Sequence, residues 1–208
     1  FVGIGEFLVN LELSAPRTYA YDVEQGFAVI EDLGDGIYAR EIENGADERT
    51  LYLAATDCLT CIHQQSAPES VTAGDWVWPV QHYDRLAMTT GADLFPKWYP
   101  SYDAGVSFSG ELARRYDDVV GGLSAHLASL RPVLMMRDYH AENLLWLPER
   151  EGLAKVGILD FQDAVRGPAA WDLAMFVQDA RRDVSPEVQA EVVRRYITHM
   201  GLSEEDFL

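Results

Sequence analysis

Cysteine is scarce in this chain: Cys58 and Cys61 are the whole supply in 208 residues. That excludes a disulfide-stapled scaffold. With no second Cys/His pair nearby, CLTC reads as two buried helix-face cysteines in a reducing cytoplasm rather than as a zinc site. Basic charge is thin as well. Sixteen Lys and Arg stand against 34 Asp and Glu, a formal charge of −18, so nucleic acid and anionic membranes are repelled as partners. No apolar run reaches the roughly 18 residues that mark a membrane-crossing helix, and no secretory leader pattern, internal repeat or low-complexity tract is visible. What is abundant is apolar: 48% of the residues are hydrophobic, enough to bury the core of one domain, or of one domain and part of another.

The most informative stretch runs from Met136 to Asp163. The apolar run Val133–Met136 stops at Arg137-Asp138. A turn carrying Asn143 follows, then the apolar run Leu144–Leu147, the polar connection Pro148–Gly152, and a second apolar run, Val156–Leu159, which ends on Asp160. Two short apolar runs around a Pro/Gly connection predict a β-hairpin. Asp138 and Asn143 then face Asp160 across the hairpin ends. A carboxylate that accepts a hydroxyl proton, with an amide and a carboxylate that hold a hard cation through oxygen, is the set phosphoryl transfer needs.

Arg137-Asp138-(four residues)-Asn143 followed by Asp160-Phe161-Gln162-Asp163 resembles the catalytic and metal-binding loops of the aminoglycoside phosphotransferase/choline kinase branch of protein-kinase-like enzymes. RDYHAENLLWLPER, LDFQDA and DARRDV are most similar to the bacterial cell-wall sugar kinases, which phosphorylate the anomeric hydroxyl of N-acetylmuramate and N-acetylglucosamine. The resemblance covers most of the chain and is strongest over 136–184. It departs from protein kinases at Gln162, where those carry Gly, and in a longer Asp138-to-Asp160 spacing. The extra residues fit a longer hairpin tip at Pro148–Gly152 that leaves the site undisturbed.

The resemblance implies an α+β, protein-kinase-like two-lobed fold with most of the small lobe absent. Residues 1–35 would be the remnant of the N-terminal lobe and hinge, and 36–208 a mainly helical catalytic lobe. It implies ATP and Mg²⁺ as cofactors, with Mg²⁺ neutralising phosphates that the acidic chain would otherwise repel. Asp138 would be the general base, acting mainly by orienting the acceptor hydroxyl, and Asn143 and Asp160 the metal ligands. In isolation Glu31–Gly36 is a turn-rich loop. By resemblance it is the hinge, where the Glu31 carbonyl and the Leu33 amide would read adenine. Asp172 would buttress the catalytic loop, and Glu6 is either the partner of a phosphate-binding lysine lying before Phe1 or a solvated carboxylate. Both ends look cut: Phe1 opens inside an apolar-periodic segment, and Ser203–Asp206 is a helix opening with two residues after it.

Elsewhere the pattern predicts a helix over Phe1–Leu13, strands at Arg17–Tyr21 and Phe27–Ile30, and helices at Glu48–Gln64, Ser109–Leu130 and Ala170–Arg182. A further helix opens at Ser185-Pro186 and is stopped by Gly201. Leu112, Tyr116, Val119, Val120, Leu123 and Leu127 are expected to pack one face of the Ser109–Leu130 helix under the catalytic loop. Gly3-Ile4-Gly5 reads as packing rather than a phosphate loop, and His63 as a helix-end cation or a satisfied core histidine. The aromatic-rich stretch Asp75–Ser107, with Trp76, Trp78, Tyr83, Asp84, Arg85 and Asp93, either stacks on a sugar ring or packs under a long connection.

Several residues keep two roles open. Asp163 is a further ligand, a substrate-hydroxyl acceptor or support for the loop. Arg137 anchors the loop. Arg181 and Arg182 either meet an anionic substrate group such as a lactyl carboxylate or form helix-end salt bridges. His140 packs in the loop or touches substrate. The expected function is phosphorylation of a small-molecule hydroxyl, with aminoglycoside, choline or another alcohol as alternative acceptors. Of other classes, a catalytically dead nucleotide-binding relative and a zinc hydrolase built on His140 and Glu142 remain.

Overall fold

The computed structural model describes residues 1–99, 108 and 110–203. Tyr102, Ser109 and the expected helix opening beyond Ser203 lie outside the described residues. Among the described residues eight helices and eight short strands follow one another, and the strands form four separate two-stranded antiparallel sheets, so the expected mainly helical α+β class is found.

Helix α1 (Val2–Asn10) turns Ile4, Gly5 and Leu8 inward and ends sooner than Leu13, where Glu12 takes a left-handed φ of 61°. Strands β1 (Thr18–Asp22) and β2 (Phe27–Ile30) form a hairpin whose turn is held by Gln25 N–H donating to the Asp22 carboxylate. After α2 (Tyr38–Glu43), α3 (Glu48–Gln64) occupies its expected span and is capped by Asp47, which accepts from Thr50 N–H at 2.9 Å. Its buried residues recur at helical spacing and pack on α8 (Pro186–Met200) and β5 (Pro132–Met135).

The aromatic-rich stretch folds into a hairpin, β3 (Ser70–Ala73) with β4 (Trp76–Pro79), followed by α4 (Arg85–Ala92) and α5 (Leu94–Tyr99). β3 lies against α1 so closely that a Cβ on Gly3 would sit 2.7 Å from Thr72 O and from Val71 Cβ. Gly3 therefore serves packing. Helix α6 (Glu111–Ser129) corrects one expectation. It packs on α4 and on β8 (Val165–Pro168) rather than under the catalytic loop. Leu112, Val119 and Leu123 are exposed, while Ala113, Tyr116, Val120, Ser124 and Leu127 make the covered face. The helix carries apolar residues on two sides, and periodicity alone does not say which side meets the protein.

The functional region is built on two strand pairs. β5 pairs with β8, Leu134 opposite Arg166. β6 (Leu144–Trp146) and β7 (Val156–Ile158) form the expected hairpin, with a 3-10 turn at Gly152–Lys155 between them. Trp146 N–H donates to Gly36 O at 2.7 Å and Ile158 N–H to Ser14 O at 2.9 Å, so the hairpin is stitched to the chain on both sides. Helix α7 (Ala169–Val177) follows β8 and stops short of Arg182. One core joins α1, α3, β5, β6, β7, α7 and α8 through Leu8, Tyr52, Leu59, Leu134, Leu144, Phe161, Phe176 and Tyr196. Each such side chain contributes about 1.5–3 kcal/mol on burial.

Candidate active site

The loop from Arg137 to Asn143 leaves the buried end of β5 and is held from below. Asp172, fully buried in the first turn of α7, accepts from Met136 N–H at 2.7 Å and from Arg137 N–H at 2.9 Å. His63, at the end of α3, meets the same carboxylate through Nε2 at 3.1 Å, and its Nδ1 lies 2.6 Å from the Tyr196 hydroxyl on α8. Three helices thus fix one carboxylate, and that carboxylate fixes the loop. Burial pushes the Tyr196 hydroxyl pKa well up, so it stays protonated. Further along, Tyr139 is buried and donates to Ala55 O at 2.8 Å, and Ala39 N–H donates to Ala141 O at 3.1 Å.

Between these ties the backbone turns sharply. Asp138 N–H donates to Met136 O at 2.9 Å across Arg137, whose φ is 69°; a three-residue turn of that sign is a strained one. The turn presents Asp138 half-buried.

Asn143 joins the two ends of the motif. Its Nδ2 donates to Asp138 O at 3.0 Å and lies 3.4 Å from Asp160 Oδ2, and its backbone carbonyl accepts from Leu159 N–H at 2.9 Å. With Nδ2 turned to the loop, Oδ1 is left for another partner. Asp160 is exposed at a left-handed φ of 54°, and Gln162 Nε2 donates to its Oδ1. Phe161 turns inward and stacks on Phe1 at 4.9 Å, against the face where Gly5 leaves room. The Asp138 backbone, the Asn143 amide and the Asp160 carboxylate therefore meet, with Asp138 and Asn143 half-buried and Asp160 exposed. Asn143 Oδ1 and the Asp160 carboxylate are hard oxygen donors of the kind that could hold Mg²⁺.

Glu31 and Leu33 belong to the link that leaves β2, and Gly34 N–H is turned onto the Asp32 carboxylate at 2.8 Å. Glu31 N–H donates to Arg17 O at 2.8 Å. Its side chain is held by Arg150 from the hairpin tip at 2.8 Å, and Arg150 also donates to Ser14 Oγ at 2.7 Å. The hairpin tip is thus clipped to this link through Arg150. An apolar hollow of about 490 Å³ lies between α1, the β1–β2 hairpin and the β3–β4 hairpin, lined by Phe1, Tyr21, Phe27, Ile30 and Trp78 among others. None of the five candidate residues lines it.

The remaining candidates divide by partner. Arg182 is committed to the fold, 2.9 Å from the Tyr52 hydroxyl and 2.9 Å from Glu48. Arg181 is spanned by Glu142 at 3.1 Å and Asp179 at 3.6 Å. His140 is buried with its Nδ1 unpartnered, and burial, together with the nearby Arg181 charge, lowers its pKa. Glu142 is occupied by Arg181, and no group of three or more His, Cys, Asp or Glu converges among the described residues. Asp84 caps α4 by accepting from Ala87 N–H. Ser185 bonds Glu48 instead of its own helix. Cys58 is fully buried, which pushes its thiol up to about 12, and Cys61 is half-buried.

The sequence profile of the phosphotransferase enzyme family (APH) matches residues 1–207. This chain belongs to that family. An N-acetylmuramate/N-acetylglucosamine kinase from Caulobacter vibrioides is 45% identical over 197 residues, 95% of this chain and 54% of that protein. A protein of the same name from Pseudomonas aeruginosa is 31% identical, covering 100% and 59%. The chain spans about half the length of the curated phosphotransferases it matches. Solved family folds lie close: choline kinase LicA from Streptococcus pneumoniae superposes with a TM-score of 0.60 at 17% identity, over 97% of this chain and 62% of that one. The aminoglycoside phosphotransferase APH(3'')-Id from Streptomyces rimosus, solved with ADP and streptomycin, gives 0.58 at 18% identity, over 97% and 74%. The fold is protein-kinase-like.

Sequence inspection missed the part of the site assembled from afar. His63 reaches Asp172 across 109 residues, and no local pattern marks it. Tyr83 packs edge-on against Trp171 at 5.0 Å, and Trp171 Nε1 donates to Arg137 O at 3.3 Å. The only hint was the aromatic richness around Tyr83.

Proposed function

We propose that this chain is the catalytic portion of an ATP- and Mg²⁺-dependent kinase acting on the anomeric hydroxyl of an amino sugar, of the N-acetylmuramate/N-acetylglucosamine type. It would serve cell-wall recycling in the cytoplasm. The observation that carries this is the Asn143 amide, which touches both the Asp138 carbonyl and the Asp160 carboxylate. The names of the curated relatives support the acceptor, and the ADP bound to the Streptomyces rimosus phosphotransferase supports the nucleotide.

Asp138 accepts the hydrogen bond of the anomeric hydroxyl and aims its oxygen at the γ-phosphorus, taking the proton as the new O–P bond forms and the bond from that phosphorus to the bridging oxygen breaks, with ADP leaving. Asn143 Oδ1 and Asp160 would hold Mg²⁺, which would offset charge on the phosphate oxygens. The Glu31 carbonyl and the Leu33 amide receive adenine. Residues 1–35 would be the remnant of the N-terminal lobe and the hinge, and 36–208 the catalytic lobe.

An acceptor panel with γ-labelled ATP tests the proposal. Label is expected on N-acetylmuramate and N-acetylglucosamine. Label only on choline or an aminoglycoside overturns the acceptor assignment, and label on nothing overturns kinase activity for this chain.

A further inference from the structure

The two sugars just named share the anomeric hydroxyl and differ in one group: N-acetylmuramate carries a carboxylate on a lactyl ether, and N-acetylglucosamine does not. We propose that Arg137 is the cation that recognises this carboxylate, with Tyr83 and Trp171 as the wall beside it. The inference rests on the amino-sugar kinase function proposed above.

Arg137 is an unusual residue to find at its position. A left-handed φ of 69° costs a residue with a Cβ, and glycine would avoid that cost. The backbone is held there regardless, because Asp172 accepts from the Arg137 N–H and Trp171 Nε1 donates to its carbonyl. With both backbone groups tied, the residue adjoining Asp138 carries a cation in place of the glycine the geometry favours. Strain kept beside a reacting group points to use of the side chain there.

The surrounding cations are either paired closely or more deeply buried. Arg182 is only 20% exposed and sits between Glu48 and Tyr52. Arg181 is more exposed, but Glu142 and Asp179 both lie on it, so an incoming carboxylate meets two others. Arg166 reaches Glu69 only at 4.0 Å and its buried Nε has no partner, but at 19% exposure it is far less open to an incoming carboxylate than Arg137. Arg137 is 40% exposed, and its ion-pair contact is Asp163 at 4.0 Å, the outer limit of such a pair. A carboxylate reaching that guanidinium gains a planar, two-pronged donor with little competition.

The neighbours suit a sugar. Tyr83 is half-buried and packs edge-on against Trp171. Its hydroxyl feels the Arg137 charge, which opposes the upward push of burial. An aromatic surface next to a guanidinium accommodates the apolar face of a pyranose and an anionic substituent together. Asp163, released from Arg137, is left to accept from a ring hydroxyl.

The test is kcat/KM for each sugar, measured with MgATP on the full chain and on Arg137→Gln, Arg137→Lys and Asp163→Asn. Losing a charge-assisted contact lowers the N-acetylmuramate to N-acetylglucosamine ratio about tenfold or more in Arg137→Gln. Arg137→Lys keeps part of it, and Asp163→Asn raises it by removing the competing carboxylate. A ratio unchanged in Arg137→Gln, including an equal fall for both sugars or a rise in KM for ATP alone, overturns the inference and leaves the sugar kinase standing. If Arg137→Gln does not fold, Asp163→Asn decides: a raised ratio supports the role and an unchanged ratio overturns it. A wild-type chain that phosphorylates neither sugar overturns the kinase function, and this assignment with it.

Discussion

Among the described residues three non-glycine positions take a positive φ: Glu12, Arg137 and Asp160. The last two border the candidate site, one adjoining Asp138 and the other contributing a carboxylate to it. At Arg137 the strain predicts its own reversal. Relief of the left-handed cost is worth about 1–2 kcal/mol, and the freer unfolded chain returns about 0.4–1 kcal/mol of that. Arg137→Gly should therefore unfold no more easily than the parent in denaturant titration, while losing acceptor discrimination. A loss above about 1 kcal/mol would show that the side chain supports the fold. His140 supplies a second prediction. Its pKa is depressed by burial and by Arg181, against the opposing carboxylates of Asp179, Asp138 and Glu142. The unfolded chain therefore takes up the proton first. The stability contribution is complete above the ordinary histidine value near 6.5 and is lost as pH falls below it toward the folded value. Unfolding curves of the parent and of His140→Gln should converge in pH dependence above that value and diverge below it; parallel profiles would contradict the assignment.

At the scale of elements, three helices reach the catalytic loop through one buried carboxylate, and the hairpin reaches the β2 exit link through one arginine. Arg150 holds both Glu31 and Ser14. Arg150→Ala should loosen the link where adenine is proposed to bind, raising KM for ATP up to about fivefold, as expected for losing a half-buried pair worth near 1 kcal/mol, with little change in kcat. A fall in kcat at constant KM would place Arg150 in another role. The elements also show what was readable beforehand. The hairpin and α3 were legible because each depends on spacing within a short stretch, the kind of spacing on which the proposed Asp138–Asn143–Asp160 set also rests. The β5–β8 pairing, the β3–β4 hairpin and the His63–Asp172–Tyr196 array were not. Their partners lie far apart in sequence, or their turn, Gly74-Asp75, was submerged in an aromatic-rich segment of mixed period. Helix α6 was legible as a helix but not in its facing.

Across the whole molecule, the formal charge of −18 sets the terms for a polyanionic ligand. A free nucleotide would approach a repelling field, and a divalent cation at the proposed Asn143–Asp160 pair would change the local sign. Thermal unfolding should accordingly rise far more with ATP plus Mg²⁺ than with ATP plus chelator, by about 2.7 kcal/mol at a hundredfold excess over Kd. Equal shifts would detach nucleotide binding from the metal pair. No helix among the described residues is long and apolar enough to cross a membrane, and the exposed large apolar side chains lie on the β1–β2 and β3–β4 hairpins and on α4, α5 and α6.

The central claim is that Asp138, beside Asn143 and Asp160, directs phosphoryl transfer onto a sugar hydroxyl. Phosphorus NMR of N-acetylmuramate incubated with MgATP and the full chain reads this directly. A new phosphomonoester signal coupled to the anomeric proton should appear with the parent and be absent with Asp138→Asn. No such signal from the parent, or an undiminished one from the variant, would contradict it.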